Sequence, residues 1–222
     1  MIWYSRIPDI TGYILRKGNY HNFRPMVNEI FKKDDFILPI LGETEFTVIN
    51  NFKALKKQVE WLCGRYLIKQ MMAHFFLKDT PLDRISLSYL DEGAPFVSGH
   101  PHIPVSLSHS NEYTAVACDL NTAHSLGLDL EKIARMPDPS FLNIAFTQKE
   151  ILTLEKNAAS VFKNWTVKEA YLKYIKKGFH ESLHKVEVIR DEIFHHGIKA
   201  DVDIFSHTIE SEYILCLVSG RL

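Results

Sequence analysis

The sequence predicts an α+β fold in two lobes, and three observations support this prediction. Each half of the 222-residue chain contains one long helical pattern and several short strand-like segments, and no low-complexity segment or long linker interrupts either half. Helices and strands in one domain bury their apolar faces against one another. We therefore expect a small, mostly antiparallel sheet packed with a long helix in each lobe. The first lobe is placed at residues 1–122 and the second at residues 123–222.

The first lobe is predicted to contain a long helix over residues 52–77. Its apolar residues recur at three- and four-residue steps, which is the helical period; they are Phe52, Leu55, Val59, Leu62 and Tyr66. Strands are predicted over residues 85–90, 105–107 and 114–119. Residues 91–104 are rich in Gly, Pro and His and are predicted as a loop, whereas residues 1–45 carry only weak signals.

The second lobe is predicted to open with a strand over residues 125–130. Thr147 has the position of a helix N-cap, with Glu150 three residues later as in a capping box. A long helix is predicted over residues 162–177, because Gly178 follows it as a helix stop. Three final segments, residues 186–190, 202–205 and 213–219, are expected to form an antiparallel meander. The long helices share a faint pattern that is consistent with duplication: Trp61, Arg65 and Lys69 against Trp165, Glu169 and Lys173.

Charge and composition exclude several classes of protein. The formal net charge is −1, from 26 basic and 27 acidic residues, so no overall field attracts the chain to nucleic acid or to an anionic membrane. No apolar run approaches the roughly 20 residues that a membrane helix needs, and the first ten residues lack the apolar core of a signal peptide. Three widely spaced cysteines, Cys63, Cys118 and Cys216, are typical of free thiols in a reducing compartment. We expect a cytoplasmic protein.

Three carboxylates in the second half are candidates for a functional site. Asp129 and Glu131 are two residues apart on the predicted strand, so both face the same side. Glu169 lies on the predicted helix between Trp165 and Lys173, which occupy the same helix face. The spacing leaves an ordinary alternative open, in which the strand pair is solvated and Glu169 forms an i, i+4 ion pair with Lys173.

Two histidine patterns are candidates for a site, and neither is favoured by the residues around it. In Ser108-His109-Ser110 the serines point away from the histidine, because adjacent strand residues face opposite sides; a hydrolytic Ser–His pair is therefore disfavoured. His100 and His102 lack a nearby cysteine or carboxylate at ligand spacing, which disfavours a zinc site. Glu150 fits either a capping role or a metal-ligand role.

Five segments together resemble a known family. Residues 127–131 (GLDLE) and 165–173 (WTVKEAYLK) resemble the paired signature of the 4'-phosphopantetheinyl transferase superfamily. Further similar segments occur in the family's order at residues 56–65 (KKQVEWLCGR), 108–110 (SHS) and 146–150 (FTQKE). The similarity covers roughly residues 52–180. The chain length is similar to that of the surfactin-synthetase-activating type, which implies two lobes related by a pseudo-twofold axis and a monomer.

The resemblance implies a reaction and a metal. Such enzymes transfer the 4'-phosphopantetheine group of coenzyme A to a serine of an apo acyl, polyketide or peptidyl carrier protein and release adenosine 3',5'-bisphosphate. Asp129, Glu131 and Glu169 are implied as Mg²⁺ ligands, which suits a hard cation that prefers oxygen. Asp129, Glu169 and Lys173 are implied as catalytic, with Glu169 as the base that accepts the serine proton.

The resemblance also implies contacts to coenzyme A. Lys173, assisted by Lys168, is expected at the pyrophosphate. Ser108 and His109 are expected at the coenzyme, with His109 on the 3'-phosphate beside Arg65 and Lys56. Gly93 and Pro95 are expected to form a coenzyme-binding turn. The sequence departs from the family there, because Ala94 replaces the family's usual lysine.

Two other functions are weighed against this hypothesis. A non-catalytic relative that only binds carrier protein is disfavoured by the complete set of Asp129, Glu131, Glu169 and Lys173. A nucleic-acid-binding module is disfavoured because each half is nearly neutral and no nucleic-acid-binding motif is recognisable. The sequence does not indicate which carrier protein is served.

Overall fold

Helices and small antiparallel sheets make up the chain, which confirms the predicted α+β class. The computed structural model describes residues 1–17 and 40–221. The helices are α1 (Ile7–Lys17), α2 (Glu43–Asn50), α3 (Leu55–Phe75), α4 (Pro139–Ala145), α5 (Gln148–Thr153) and α6 (Ala158–Tyr174). The strands are β1 (Ile2–Arg6), β2 (Leu87–Tyr89), β3 (Pro95–Val97), β4 (Val105–Ser110), β5 (Tyr113–Cys118), β6 (Ser125–Lys132), β7 (Val186–Ile189), β8 (Glu192–His195), β9 (Ile198–Lys199), β10 (Asp203–Ile209) and β11 (Tyr213–Gly220).

Two three-stranded sheets form the centre of the described structure. One has the order β1-β5-β4 and the other the order β10-β11-β6, and all pairings in both are antiparallel. The central strand β5 is buried along its whole length, so its sequence does not show the alternation of apolar and polar residues that a half-exposed strand has. Helix α3 packs on the first sheet and α6 on the second. The prediction of a long helix and a small sheet in each half is confirmed.

Three details differ from the sequence-based expectations. Residues 95–97 of the predicted loop form β3, which pairs with β2. The last two segments of the predicted meander form the antiparallel pair β10–β11, but its first segment was wrongly placed: β7 turns back into β8 at Arg190 and Asp191, both with positive φ, and joins a separate sheet of order β7-β8-β9. The weak N-terminal segment contains β1, α1 and the start of α2. Its residues 18–39 lie outside the described residues.

Alternate serines of β4 join the two central sheets. Ser106 Oγ accepts a hydrogen bond from the backbone N–H of Leu128 at 2.9 Å, and Ser110 Oγ accepts one from the N–H of Lys132 at 3.1 Å. Between them, Ser108 Oγ donates to a carboxylate on β6. The period of two places all three hydroxyls on one side of β4. They give β6 hydrogen-bond partners on the side where it lacks a neighbouring strand in its own sheet.

Gly127 allows β6 and α6 to pack closely. A Cβ atom at this position would lie 2.0 Å from the carbonyl oxygen of Ala170 and 2.3 Å from the backbone nitrogen of Tyr174. Only the absence of a side chain permits this approach. The glycine therefore positions α6 directly over the strand that carries Asp129 and Glu131.

Thr147 and Glu150 form the predicted capping box at the start of α5. The three cysteines are free and buried. Within the described residues, the helices are all too short or too polar to cross a membrane.

Candidate active site

Three carboxylates converge where β6 meets α6. Asp129 and Glu131 extend from the same side of β6, and Glu169 extends from the middle of α6. One oxygen atom from each carboxylate lies within 4.8 Å of the others. The period of two on the strand and the close packing at Gly127 produce this arrangement. The ordinary alternative, an isolated helix pair and a solvated strand pair, does not describe the structure.

Lys173 and two serines surround the carboxylates. The Lys173 ammonium donates to Asp129 Oδ1 at 2.7 Å and contacts Ser108 Oγ at 3.1 Å. Ser108 Oγ donates to the same Asp129 oxygen at 2.9 Å, and Ser110 Oγ donates to Glu131 Oε2 at 3.2 Å. The second oxygen of Asp129, Oδ2, is buried and has no hydrogen-bond partner.

The carboxylates repel one another in a partly desolvated site. Burial and the charge of Asp129 together raise the pKa of Glu169 to about 8, and Lys173 opposes both. Burial and Asp129 also raise the pKa of Glu131. Crowded carboxylates with an unpartnered buried oxygen favour a cation in their midst. The three side chains therefore fit a hard divalent cation that takes oxygen ligands.

A cavity and a groove open beside the carboxylates. The cavity has a volume of about 460 Å³ and is lined by residues from both halves, including Gly93, Ala94, Pro95, Ser106, Lys173 and Lys176. The groove is larger and shallower, about 690 Å³, and contains Glu131 and Trp165 among its lining residues. The carboxylate group thus has open space on two sides, one lined by Lys173 and one lined by Glu131.

Comparison with known proteins shows a similarity to one family. Residues 125–218 match the family model of the 4'-phosphopantetheinyl transferase superfamily. A curated protein, 4'-phosphopantetheinyl transferase gsp of Aneurinibacillus migulanus, is 31% identical over 124 residues, which cover 54% of this chain and 49% of the relative. The chain therefore spans about half the length of the curated relative that it matches.

The superfamily match includes all of the residues that were predicted to bind metal. Asp129, Glu131 and Glu169 lie together, and Lys173 lies with them, facing the cavity. Gly93 and Pro95 line the same cavity. Ser108 is buried, and its hydroxyl group hydrogen-bonds to both Asp129 and Lys173.

His109 faces away from the two serines that flank it, as the strand period predicts. Its Nε2 lies 3.5 Å from Glu60 Oε2, and its side chain is 48% exposed. Lys56 pairs with the same glutamate at 3.6 Å and is largely exposed. Burial lowers the pKa of His109, and Lys173 and Lys56 lower it further, whereas Glu60 opposes them. His109 and Lys56 thus share one anionic neighbour, Glu60, which the sequence patterns did not indicate.

Arg65 is not available to a ligand in this structure. It is 1% exposed, donates a hydrogen bond to the Tyr89 hydroxyl and lies 3.5 Å from Glu45. Its guanidinium also stacks over Trp61 at 4.5 Å. The expectation that Arg65 contacts the 3'-phosphate is not supported, because a buried and paired guanidinium is engaged in the core.

Lys168 is also placed elsewhere than expected. Its ammonium is fully buried and donates to Glu150 Oε2 and to the carbonyl oxygen of Ala145, each at 2.8 Å. The other oxygen of Glu150 accepts from the backbone N–H of Val188. Glu150 is therefore a capping and ion-pair residue, and Lys168 is its partner. Neither residue belongs to the carboxylate group.

Trp165 belongs to an aromatic cluster, and three further residues near the site were not among those predicted. The Trp165 ring contacts Phe141 and Phe146, with centroid distances of 5.3 and 6.4 Å. Lys176 and His180 line the cavity but lie beyond the motifs, so no spacing rule indicated them. Ser110 was detectable, since the serines of residues 106–110 alternate along the strand.

Proposed function

We propose that this protein transfers the 4'-phosphopantetheine group of coenzyme A to a serine of an apo carrier protein. The observation that carries the proposal is the convergence of Asp129, Glu131 and Glu169 beside Lys173. It occurs within residues 125–218, which match the transferase superfamily. The name of the curated relative supports the same reaction for this chain.

We further propose Mg²⁺ as the metal. Asp129, Glu131 and Glu169 would hold it, and the buried Asp129 Oδ2, which lacks a partner, is the oxygen most in need of a cation. A bound Mg²⁺ would neutralise negative charge on the phosphates of coenzyme A. Three oxygen ligands and water suit this cation, whereas nitrogen or sulfur donors are absent from this group.

The chain's own residues would align the reactants and move one proton. The serine hydroxyl of the carrier attacks the phosphorus nearest the pantetheine, and the bond from that phosphorus to the bridging pyrophosphate oxygen breaks. Glu169 accepts the serine proton; its raised pKa makes its carboxylate a stronger base than an ordinary glutamate. Lys173 would bind the pyrophosphate oxygens. The leaving group is adenosine 3',5'-bisphosphate.

The cavity and the groove suggest separate places for the two substrates. The cavity beside Lys173 and Lys176 offers the cations that a pyrophosphate needs. The open groove contains Met136, Phe141, Phe162 and Trp165, and such an apolar surface suits a protein partner. We therefore assign coenzyme A to the cavity and the carrier protein to the groove. His109 and Lys56 would contact the 3'-phosphate, and we propose a cytoplasmic monomer.

The test is an intact-mass assay of carrier proteins. The full chain is incubated with coenzyme A, Mg²⁺ and a panel of apo carriers from fatty-acid, polyketide and peptide-synthetase systems. We expect at least one carrier to gain the mass of the phosphopantetheine group. A chelator and the Glu169→Gln variant should each abolish the gain. Binding of a carrier without any gain in mass across the panel would instead support a non-catalytic carrier-binding protein.

A further inference from the structure

A second group of potential metal ligands lies beside the β7-β8-β9 sheet. It consists of Glu181, His195 and His196, and one ligand atom of each lies within 4.8 Å of the others. In the part of the chain that the structure describes, this group and the three carboxylates are the two sets of three ligating side chains this close together. The two sets share no residue, and their donor atoms differ in kind.

The spacing of the donor atoms matches a small tetrahedral site. Glu181 Oε2 lies 3.3 Å from His195 Nε2 and 3.8 Å from His196 Nε2. Tetrahedral zinc sites have metal–ligand bonds of about 2.0–2.1 Å, so their ligand atoms are about 3.3 Å apart. One distance agrees with this value, and the other requires a shift of only about half an ångström by an exposed imidazole.

A backbone hydrogen bond, a ring contact and a left-handed backbone conformation orient the three side chains toward one point. The N–H of Ser182 donates to Glu181 Oε1 at 3.0 Å, which leaves Oε2 directed to the histidines. The His195 ring packs against Tyr171 at 5.6 Å. His196 has a φ of 51°, a left-handed conformation that places two consecutive imidazoles side by side, with centroids 4.5 Å apart. In an extended strand, consecutive side chains would face opposite sides.

We propose that Glu181, His195 and His196 bind a borderline transition-metal ion, Zn²⁺ in the first instance, in a site separate from the three carboxylates. Two imidazoles and one carboxylate suit Zn²⁺ and disfavour Mg²⁺, which prefers six oxygen ligands. Lys177 and Lys185 lie 3.7 and 3.4 Å from the Glu181 carboxylate. Both ammonium groups are more than half exposed on long stems, so the metal can displace them into solvent.

The position of the site links it to the cavity. Glu181 directly follows the turn Gly178–His180, and both Gly178 and His180 line the 460 Å³ cavity. His195 and His196 belong to the end of β8 and the turn after it. A bound ion would therefore tie one wall of the cavity to the small sheet and stabilise that wall.

The experiment is calorimetric titration of the full chain with Zn²⁺ in the presence of excess Mg²⁺, which occupies the carboxylates. We expect one Zn²⁺ per chain. His196→Asn is the main variant, because asparagine tolerates a positive φ and preserves the turn; His195→Ala is the second. Loss of a ligand should weaken Zn²⁺ binding by at least about 10–100-fold. Circular dichroism confirms that each variant is folded.

Two controls make the outcome decisive. The double variant His100→Ala/His102→Ala removes another pair of adjacent histidines, whose ring centroids lie 6.0 Å apart, and should bind Zn²⁺ as the wild type does. Asp129→Asn should also retain the site. The proposal is overturned if the wild type binds no stoichiometric Zn²⁺, if the His196 and His195 variants bind it unchanged, or if Asp129→Asn abolishes binding.

Discussion

The two halves of the molecule have the same order of elements but different chemistry. In the first half, strand β1 precedes helices α2 and α3 and the hairpin β4–β5, and the sheet has the order β1-β5-β4. In the second half, β6 precedes α5 and α6 and the pair β10–β11, and the sheet has the corresponding order β6-β11-β10. The repeated order agrees with the duplicated architecture that the sequence suggested.

A buried lysine occupies the same place in both halves. Lys69 of α3 bonds to Glu45, which reaches back to the start of α2, and to the carbonyl oxygen of Ile40, five residues before that glutamate. Lys168 of α6 bonds to Glu150, the capping residue of α5, and to the carbonyl oxygen five residues before it. Burial lowers the pKa of both lysines, and their glutamates oppose it. In each half, an equivalent ion pair thus holds the short helix against the long helix.

The difference lies at the neighbouring positions. Gln70 follows Lys69, whereas Glu169 follows Lys168, and β6 carries Asp129 and Glu131 where β1 (Ile2–Arg6) carries no carboxylate. The scaffold is therefore present twice, whereas the three grouped carboxylates lie in the second half. The buried lysines thus serve the fold in both halves, and the residues beside them differ in the chemistry they can support.

The largest expected effect separates Glu169 from Gln70. Glu169→Gln should lower kcat/KM for transfer by at least about 10³-fold, on the order of 4 kcal/mol, because it removes both a metal ligand and the proposed base. Gln70→Ala, at the corresponding position of the first half, should stay within about threefold of wild type. Transfer rates with a responsive carrier measure both. Equal losses in the two variants would contradict a site confined to the second half.

Both buried lysines should matter for stability, although not equally. Lys168→Met leaves the buried Glu150 without its cation, which costs about 3–5 kcal/mol of unfolding free energy; Lys69→Met should cost less, because Arg65 still lies 3.5 Å from Glu45. Lys173→Met, on the same helix as Lys168, should impair transfer with a smaller loss of stability. Urea midpoints and coenzyme A titrations measure the two effects. If Lys168→Met kept its stability and raised only KM for coenzyme A, Lys168 would be a coenzyme contact after all.

The sequence did not indicate which of Lys168 and Lys173 is buried in the fold and which faces the cavity. Five residues correspond to about 140° around a helix, so the two lysines leave opposite sides of α6, whereas Glu169 and Lys173 share a side. Which side would be buried depends on Glu150, a contact across the fold that no local pattern contains. The sequence pattern aligned Lys69 with Lys173, and this alignment was wrong for the same reason. In the structure Lys69 corresponds to Lys168, because each forms an ion pair with a buried glutamate.

Local patterns predicted those parts of the fold and site that local geometry determines. The long helices follow from a period of 3.6, and the common face of Asp129 and Glu131 on β6 follows from a period of 2.0. The capping box at Thr147 follows from a glutamate three residues later. Strand β1 was missed because five residues carry little periodicity and its place comes from pairing with β5 far along the chain. The β7-β8-β9 sheet was missed because its tight turns use residues with positive φ, such as Arg190, which composition did not mark.

Each half also contains a glycine that can be replaced by alanine, with a different expected effect on stability. Gly127→Ala forces a Cβ atom to 2.0 Å from a backbone oxygen and should cost about 3 kcal/mol or lose the packing of α6 on β6 altogether. Gly64→Ala in the first half meets only ordinary contacts, the nearest at 3.7 Å from Thr114, and should be neutral or stabilise α3 by up to about 1 kcal/mol. Urea unfolding of both variants decides this. Similar stability of the two alanine variants would contradict the close approach at Gly127.

The next effect concerns pH and the metal. Because the pKa of Glu169 is raised to about 8, a proton competes with Mg²⁺ below that pH, and the metal binds fully only above it. Mg²⁺ affinity should fall by about tenfold per pH unit from pH 8 to pH 6, about 2.7 kcal/mol in all. Calorimetric titration of Mg²⁺ at several pH values measures the slope. The Glu169→Gln variant should bind more weakly with a flatter slope; an equal slope in wild type and variant would assign the proton to another group.

The smallest expected effect is on KM for coenzyme A, and it depends on the unequal charge of the two cavity walls. The second half contributes Lys173 and Lys176 to the cavity, whereas the first half contributes Gly93, Ala94 and Pro95 beside the anionic Glu92. Ala94→Lys gives the first half a cation, and Ala94→Gln is the matched neutral control. The added contact binds ground and transition states alike, so it should lower KM for coenzyme A with little change in kcat.

The gain from Ala94→Lys should not exceed about 1 kcal/mol, or about fivefold in KM, because the lysine would be partly exposed. It should shrink at high salt, since ions screen exposed charges. Coenzyme A titrations at low and high ionic strength measure both quantities, with Ala94→Gln remaining at the wild-type KM. An unchanged or raised KM for Ala94→Lys at low salt would mean that the phosphates bind nearer to the lysines of the second half, out of reach of the first-half wall.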